Sequence, residues 1–520
     1  MSVELLDCTL RDGGYLNQWK FGRRTIPGFL ETLDRAGVDV MEVGFLTGEA
    51  RGREYSLFAS LEEVARVLPR KKRGKFVAMV ALGELELDPG SLPPYDGETL
   101  DGVRLSFRKG DRDKAFRWAR ELQDKGYPVF FQPVGTVFYS DLELLHLVEQ
   151  VNILEPYAFY VVDTLGSMYR EQVTRRFHLL DENLAPGIRL GLHGHNNLQL
   201  AFANAQAVAA LPTKRPLVVD SSVFGMGRGA GNLPTELMAQ YLDRTGTGRY
   251  DVSLILEAYD RFIAPLGQGG QWGYSVAYHI AASHLCHPNY AAYLLEKGTL
   301  SMKELAQIVE EIPRDRRAQY DQDLIAKLYR QRQTREVDDG AAVEELTKLF
   351  AQRPLLLLGE GACQEGQGQR LREFIARRRP VVVELNFRDA AFPADLCFFT
   401  SRRGADWLEE GGFPRAVVTS NVAWEEDLPC LWADYRQCLG EDALVFDAPE
   451  LMALKFFQRC GVGEAYLAGF PQGAACPLGR DCLWGPKPQS PDRRRRLREQ
   501  LEALGLKIVF LHPRDLEDLL

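Results

Sequence analysis

The chain has 520 residues, 45% hydrophobic and 26% charged, and a formal net charge of −9. That length exceeds one hydrophobic core and implies two or three domains, while the acidic balance excludes a general nucleic-acid or membrane-surface binder, because covering phosphates needs a basic face. The start MSVELLDCTL has no charged leader before an apolar stretch and nowhere do 18 apolar residues run together, so a cytoplasmic protein is expected. Nine cysteines at unmatched spacings fit reduced thiols better than a disulfide framework, and Cys476 and Cys482 stand too far apart for a CxxC knuckle.

In chain order, eight short apolar runs alternate with amphipathic helical stretches: VELLDCTL (3–10), VDVMEVGF (38–45), KFVAMVAL (75–82), GVRLSF (102–107), YPVFFQPVG (127–135), AFYVVDTLG (158–166), IRLGLHGH (188–195) and LVVDSSVFG (217–225). Near-continuous apolar strands indicate a parallel sheet buried on both faces, and eight of them in this length predict a (β/α)8 TIM barrel over 1–248. From 249 to 350 the pattern is helical, with SLILEAYDRFIAPL, YSVAYHIAASHL, SMKELAQIVEEI and DQDLIAKLYRQR, and reads as a lid or partner region. Strand character resumes at Pro354 with PLLLLGEG, PVVVELNF, DLCFFTS, RAVVTSN, ALVFDAP, AYLAGF and KIVFLHP, predicting a second, smaller open-sheet α/β domain over 351–520. The glycines of LLLLGEGACQEGQG follow a strand as in nucleotide-binding folds, but not at GxGxxG spacing, so a plain strand-to-helix turn is favoured over a nucleotide or sugar-nucleotide cradle. The run Arg493 to Arg496 reads as a solvated helix face rather than a polyanion site.

The chemistry concentrates in IRLGLHGHNN. His193 and His195 are two positions apart at a strand end, where side chains at i and i+2 leave one face about 7 Å apart and can converge on an ion. Asp12 in LLDCTLRDGG, at the end of the first strand candidate, supplies a third ligand. A carboxylate beside two neutral imidazoles suits Mn²⁺ or Mg²⁺, with Co²⁺ or Zn²⁺ as alternatives. The barrel places its active residues at the C-terminal strand ends, where Asp12, Glu42, Asp163, His193, His195 and Ser221 all fall. Asp163 and Ser221 read as rim hydrogen-bond formers.

Three segments, DCTLRDGG (7–14), LHGHNN (192–197) and DSSVFGMGRGAGNLPTE (220–236), resemble the metal-dependent aldolase and lyase barrels that include 4-hydroxy-2-oxovalerate aldolase, 3-hydroxy-3-methylglutaryl-CoA lyase and the isopropylmalate and homocitrate synthases. The resemblance implies Asp12, His193 and His195 as metal ligands and Asn232 as a fourth or adjoining group, although Asn232 is equally suited to cap the helix that follows. It implies that Arg11 meets the oxygen of a 2-oxo acid, that Glu42 holds Arg11, with a purely structural ion pair as the alternative, and that Ser167 binds the substrate carboxylate. The expected reaction is cleavage or formation of a C–C bond next to a 2-oxo acid, giving a pyruvate-type enolate and an aldehyde. The alternatives are a Claisen-type acyl-CoA synthase, or a catalytically altered metabolite-binding component of a polysaccharide pathway, toward which YLAGF (466–470) points faintly. Relatives commonly pair, so a homodimer is an open expectation; transfer of the aldehyde to a dehydrogenase partner is open too, with no residue speaking for it.

Two departures stand out. Aldolase relatives carry a histidine as base three positions beyond the metal aspartate, where this chain has Tyr15, a poor base at its ordinary pKa of about 10 unless a cation such as Arg11 lowers it. Metal-bound water, or Tyr278, His279, His284 or His287 from the helical region, are the other candidates, and His287 and Tyr290 are expected near the barrel mouth. The lyase's loop cysteine is also missing from FGMGRGAGN, which favours an aldolase over a CoA-ester lyase.

Overall fold

The computed structural model describes residues 2–49, 51–84, 87–246, 249–268, 272–333, 335–359, 368–388, 394–401, 415–422, 430–442, 444–470 and 491–511. It divides into two compact units, one of Met1–Ala292 with Pro313–Tyr320, the other of Tyr293–Ile312 with Asp321–Leu520. The helical stretch expected at 249–350 is therefore shared between the units rather than standing alone.

In the first unit the eight apolar runs form eight parallel strands: β1 (Val3–Asp7), β2 (Val40–Leu46), β3 (Lys75–Ala81), β4 (Gly102–Phe107), β5 (Val129–Pro133), β6 (Ala158–Asp163), β7 (Arg189–Gly194) and β8 (Leu217–Ser221). Each pairs with its neighbour, and β1 pairs with both β8 and β2, so the sheet closes into a barrel with no free edge. A two-residue strand, Leu57–Phe58, adds to β2 from the connecting segment. The strands end earlier than the apolar runs do. Cys8 begins a helical turn, Thr9–Asp12, and beyond Asp163 the chain turns because the Asp163 carboxylate accepts the Ser167 and Met168 backbone N–H groups at 2.9 and 3.0 Å.

Alternation along the strands sorts their side chains into two layers. Phe131, Phe159, Val161 and Val219 join the large cluster under the helices, whereas Leu6, Val40, Val77, Phe130, Tyr160 and Val218 fill the barrel axis. Gly191 leaves space for a ring there, since a Cβ on it would lie 2.5 Å from Tyr160. Charged residues share this interior: Arg104 on β4 is fully buried, its guanidinium lies 5.3 Å from the Tyr160 ring centroid, and Glu42 and Asp220 are buried beside it.

The second unit contains a parallel sheet of seven strands: β9 (Leu355–Leu358), β10 (Val381–Leu385), β11 (Leu396–Phe399), β12 (Ala416–Thr419), β13 (Leu431–Ala433), β14 (Glu464–Ala468) and β15 (Lys507–Phe510). Its order is β13-β12-β11-β10-β9-β14-β15, an open sheet as expected. One strand differs. Of ALVFDAP, residues 444–447 form a turn leading into the helix Pro449–Arg459, and LWA at 431–433 pairs with β12. The segment after β9 that carries the glycines, 360–367, and both Cys476 and Cys482 lie outside the described residues. Within the run Arg493 to Arg496, Arg495 and Arg496 pair with Asp492, and Arg496 also with Asp442. Among the described residues no helix is long and apolar enough to cross a membrane.

Candidate metal centre and active-site cleft

The closed barrel brings the ends of β1, β7 and β8 to one place. Asp12 closes the helical turn after β1, His193 lies on β7, and His195 follows β7 in an isolated bridge with Asn232. The ligand atoms of Asp12, His193 and His195 all lie within 4.8 Å of one another, and all three residues are buried. His193 Nε2 and His195 Nε2 stand 3.8 and 3.7 Å from Asp12 Oδ2, too far for hydrogen bonds, so the imidazoles aim at the carboxylate without being satisfied by it.

The donor set fits a divalent cation. Burial, against the pull of Asp12, pushes the His195 imidazole down to about 3, leaving it neutral with a lone pair to give. His193 Nδ1 lies 3.0 Å from Asp220 Oδ2, and this carboxylate–imidazole contact turns Nε2 toward Asp12, as in metal sites whose histidines are oriented from behind. Burial alone would raise the Asp12 carboxyl, but Arg11, His195, His193 and Arg228 outweigh it and hold the group well below the ordinary carboxylate range. Asn232 Nδ2 donates to Asp12 Oδ2 at 2.6 Å and to the Met226 carbonyl at 3.2 Å, while its buried Oδ1 has no hydrogen-bond partner. Asn232 thus stands behind Asp12 with its amide nitrogen facing the carboxylate. It does not cap the next helix, which begins at Thr235 after Pro234.

The loop that carries Asn232 depends on glycine. Gly231 has φ +84°, and a Cβ there would lie 2.0 Å from the Gly225 carbonyl oxygen; at Gly227 a Cβ would lie 2.4 Å from Asn232 Nδ2. Gly227→Ala is therefore expected to push Asn232 off Asp12 and to weaken Mn²⁺ binding about tenfold in a calorimetric titration, the lower end of what loss of a supporting partner does at metal sites.

Arg11 is anchored by two carboxylates: Nε donates to Glu42 Oε2 at 2.9 Å and Nη1 lies 3.0 Å from Asp12 Oδ1. Burial would lower its pKa, but Glu42 and Asp12 raise it well above the ordinary value, so it is a fixed cation. Glu42 is not a simple partner of Arg11. It also accepts from Arg104 Nη1 at 2.9 Å, and Arg104 Nη2 bonds Asp220 Oδ2, the oxygen that faces His193. One buried chain, Arg11–Glu42–Arg104–Asp220–His193, therefore runs under the triad. Arg104 escapes a motif reading, although an arginine in the middle of the apolar strand GVRLSF is a visible trace, and Asp220 opens the segment DSSVFGMGRGAGNLPTE without its role showing in the motif.

A cleft opens above, lined among others by Arg11, Tyr15, Glu84, Arg108, Gln132, His193, His195 and Arg228, with Phe45, Met79, Phe107, Val134 and Val162 as apolar wall. The Tyr15 hydroxyl donates to Glu84 Oε2 at 3.2 Å, and Arg108 Nη2 holds Glu84 Oε1 at 2.6 Å. Burial pushes the Tyr15 phenol up to about 12 against the pull of Arg228, so it stays protonated at neutral pH and is no free base. Arg11, the cation expected to lower it, is outweighed. Gln132 is buried with an unpartnered Nε2, a donor without a motif to announce it.

Other expectations fare differently. Ser167 is buried with an unpartnered hydroxyl, but does not line the cleft. His279 is exposed and His284 Nδ1 lies 2.9 Å from its own helix at the Ile280 carbonyl. Tyr290 bonds the Arg316 and Gln319 carbonyls. His287 is buried and feels Arg228, Arg108 and His195, although burial is the larger cause that pushes it down to about 3. Its Nδ1 accepts the Asn289 backbone N–H at 3.2 Å, so the neutral ring carries its proton on Nε2.

Residues 111–260 match a family model described as HMGL-like. A 4-hydroxy-2-oxovalerate aldolase of Thermomicrobium roseum is 30% identical over 269 residues, which is 50% of this chain and 72% of the relative. Another, of Roseiflexus castenholzii, is 29% identical over 273 residues, 50% of this chain and 77% of the relative. Among solved structures, an aldolase-type N-terminal domain from Bacteroides vulgatus aligns with TM-score 0.50 and 22% identity, covering 58% of this chain and 99% of that one, a likeness of fold. Identity of 30% across 72% of the Thermomicrobium aldolase, with the family match lying inside the barrel, makes this chain a member of the HMGL-like family of aldolase and lyase enzymes.

Proposed function

We propose that this enzyme is a divalent-metal-dependent aldolase that cleaves or forms the C–C bond next to a 2-oxo acid, with pyruvate and an aldehyde as the two halves. The observation that carries the reading is the buried trio of ligand atoms within 4.8 Å, beside a cleft-lining arginine held by two carboxylates. Asp12, His193 and His195 would hold the cation, Mn²⁺ or Mg²⁺ by the chemistry of one carboxylate and two imidazoles, and when bound it would supply Lewis acidity toward the keto oxygen.

The chain's own groups supply the rest. Arg11 is held with its charge at the cleft, where the negative charge of an enolate develops, and it needs no reorganisation at the moment of reaction. Gln132 Nε2 is a further donor for the substrate's oxygens. In the cleavage direction the 4-hydroxyl proton passes to Tyr15 Oη while the Tyr15 proton passes to Glu84 Oε2, its hydrogen-bond partner, so no free tyrosinate is required. The C3–C4 electron pair stays on C3, the aldehyde leaves, C3 takes a proton from water to give pyruvate, and Glu84 returns the proton it accepted to solvent, so the enzyme is regenerated. No electron acceptor is involved.

The test is NMR-detected exchange of pyruvate methyl protons in D₂O with added Mn²⁺ and no CoA. Exchange is expected; protein that binds Mn²⁺ but exchanges nothing would contradict the aldolase and favour a CoA-dependent synthase or a binding component. The relay is tested separately. Tyr15→Phe and Glu84→Gln are each expected to lower kcat for cleavage by about 10²–10⁴, and the double variant by no more than either alone, because both act on one proton. With the phenol near 12, the residual activity of Tyr15→Phe should keep the wild-type pH dependence between pH 6 and 9. A basic limb that vanishes in this variant would show that Tyr15 titrates.

A further inference from the structure

The cleft holds three arginines, and two are committed. Arg11 is bonded to Glu42 and Asp12, and Arg108 to Glu84. Arg228 forms no ion pair with any described residue. It sits instead with its guanidinium carbon 3.9 Å from the Tyr15 ring centroid, half-buried in the loop after β8, between Gly227 and Gly229. Stacking uses only the face of a guanidinium. Its N–H groups lie in the plane of the fork and stay available for the paired acceptors of a carboxylate or phosphate.

Its stacking places it at the Tyr15 end of the cleft. Arg228 covers Tyr15, the residue placed at the hydroxyl that becomes the aldehyde oxygen, and Arg108 is bonded to Glu84, the partner of the Tyr15 hydroxyl. Phe45, Met79 and Phe107 line the same cleft and offer a surface for carbon chain. A small neutral aldehyde would leave Arg228, which has no ion-pair partner among the described residues, without an acceptor for its N–H groups in a partly dehydrated cleft.

Resting on the aldolase reading, we infer that the aldehyde half of the substrate carries a second anionic group, a carboxylate or a phosphate, bound by Arg228 with Arg108 beside it. The bond chemistry is unchanged: C3 of pyruvate loses a proton and attacks the aldehyde carbon, and the carbonyl oxygen takes up a proton. The anion only anchors the far end.

The experiment compares condensation of pyruvate, on the Mn²⁺-loaded full chain, with matched neutral and anionic aldehydes: propanal against 4-oxobutanoate, and glyceraldehyde against glyceraldehyde 3-phosphate. At least one anionic member should exceed its neutral partner in kcat/KM by roughly 10- to 100-fold, the range of a charge-assisted pair, and which pair responds tells carboxylate from phosphate. Arg228→Met should bring that ratio close to unity, and Arg228→Lys, which keeps the charge without the planar fork, should retain part of it. Equal use of neutral and anionic aldehydes by the wild type overturns the inference without needing any variant. So does an Arg228→Met enzyme that keeps the preference while its KM for pyruvate rises, since Arg228 would then serve the keto acid. Pyruvate methyl exchange by the wild type, measured without aldehyde, separates the two levels: exchange with no anionic preference sinks this inference alone, whereas no exchange sinks the aldolase reading and the inference together.

Discussion

Arg104→Met is expected to destabilise the barrel unit by about 3–5 kcal/mol, the range found when one partner of a buried ion network is removed. Arg104 has no solvent exposure and is the only group bonding both Glu42 and Asp220 at once among the described residues. Without it, Asp220 keeps His193 and Glu42 keeps Arg11, and both carboxylates remain in a medium that penalises charge. Burial alone would raise the Asp220 carboxyl; Arg104 is the first cause opposing it, and the group is held below its ordinary value. The loss should appear as a fall of roughly 10 °C in the melting transition of the barrel unit, followed by calorimetry because two units need not melt together. An unchanged transition would mean that the network is not built as described. Replacing all three of Arg104, Glu42 and Asp220 by apolar residues should restore much of the stability and none of the activity.

Arg11→Lys is expected to lower pyruvate methyl exchange by about 10²–10³, comparable to removing one donor from a preorganised anion site. The charge survives, so Glu42 and Asp12 remain partly compensated and the fold should hold. What is lost is the planar fork that lets Nε take Glu42 and Nη1 take Asp12 while the side chain still faces the cleft. Mn²⁺ affinity should change by less than the rate does, because Arg11 neighbours the ligand set without belonging to it. Exchange within threefold of wild type would show that Arg11 only holds Glu42.

The barrel was legible because its strands are buried on both faces and therefore read as uninterrupted apolar runs, and eight such runs have few ways to close. Strand ends were less so: Asp163 stops β6 with its own side chain, in a pattern no periodicity displays. The triad could be read because His193 and His195 share a strand end and because Asp12 lies at the corresponding end of β1. Arg104 and Asp220 act across the barrel axis, 116 residues apart, and only closure brings them together. Tyr15 illustrates the limit differently. Its position in the chain was visible, but its state depends on Glu84, Arg228 and the Trp19–Phe45 cluster around it, which come from four separate segments. In the second unit, ALVFDAP has strand composition yet its residues 444–447 form a turn, while LWA, only three residues long, takes the sheet edge.

Titration of metal-free protein with Mn²⁺, followed by calorimetry and by the loss of the free-ion electron paramagnetic resonance signal, addresses the grip of Asp12, His193 and His195 on one cation most directly. One ion per chain is expected for the wild type, with affinity lower by at least about 100-fold in Asp12→Asn and in His195→Ala, and a smaller loss, about 10- to 100-fold, in Asp220→Asn, which only orients His193. Equal stoichiometric binding by wild type and Asp12→Asn, with folding intact, would contradict it.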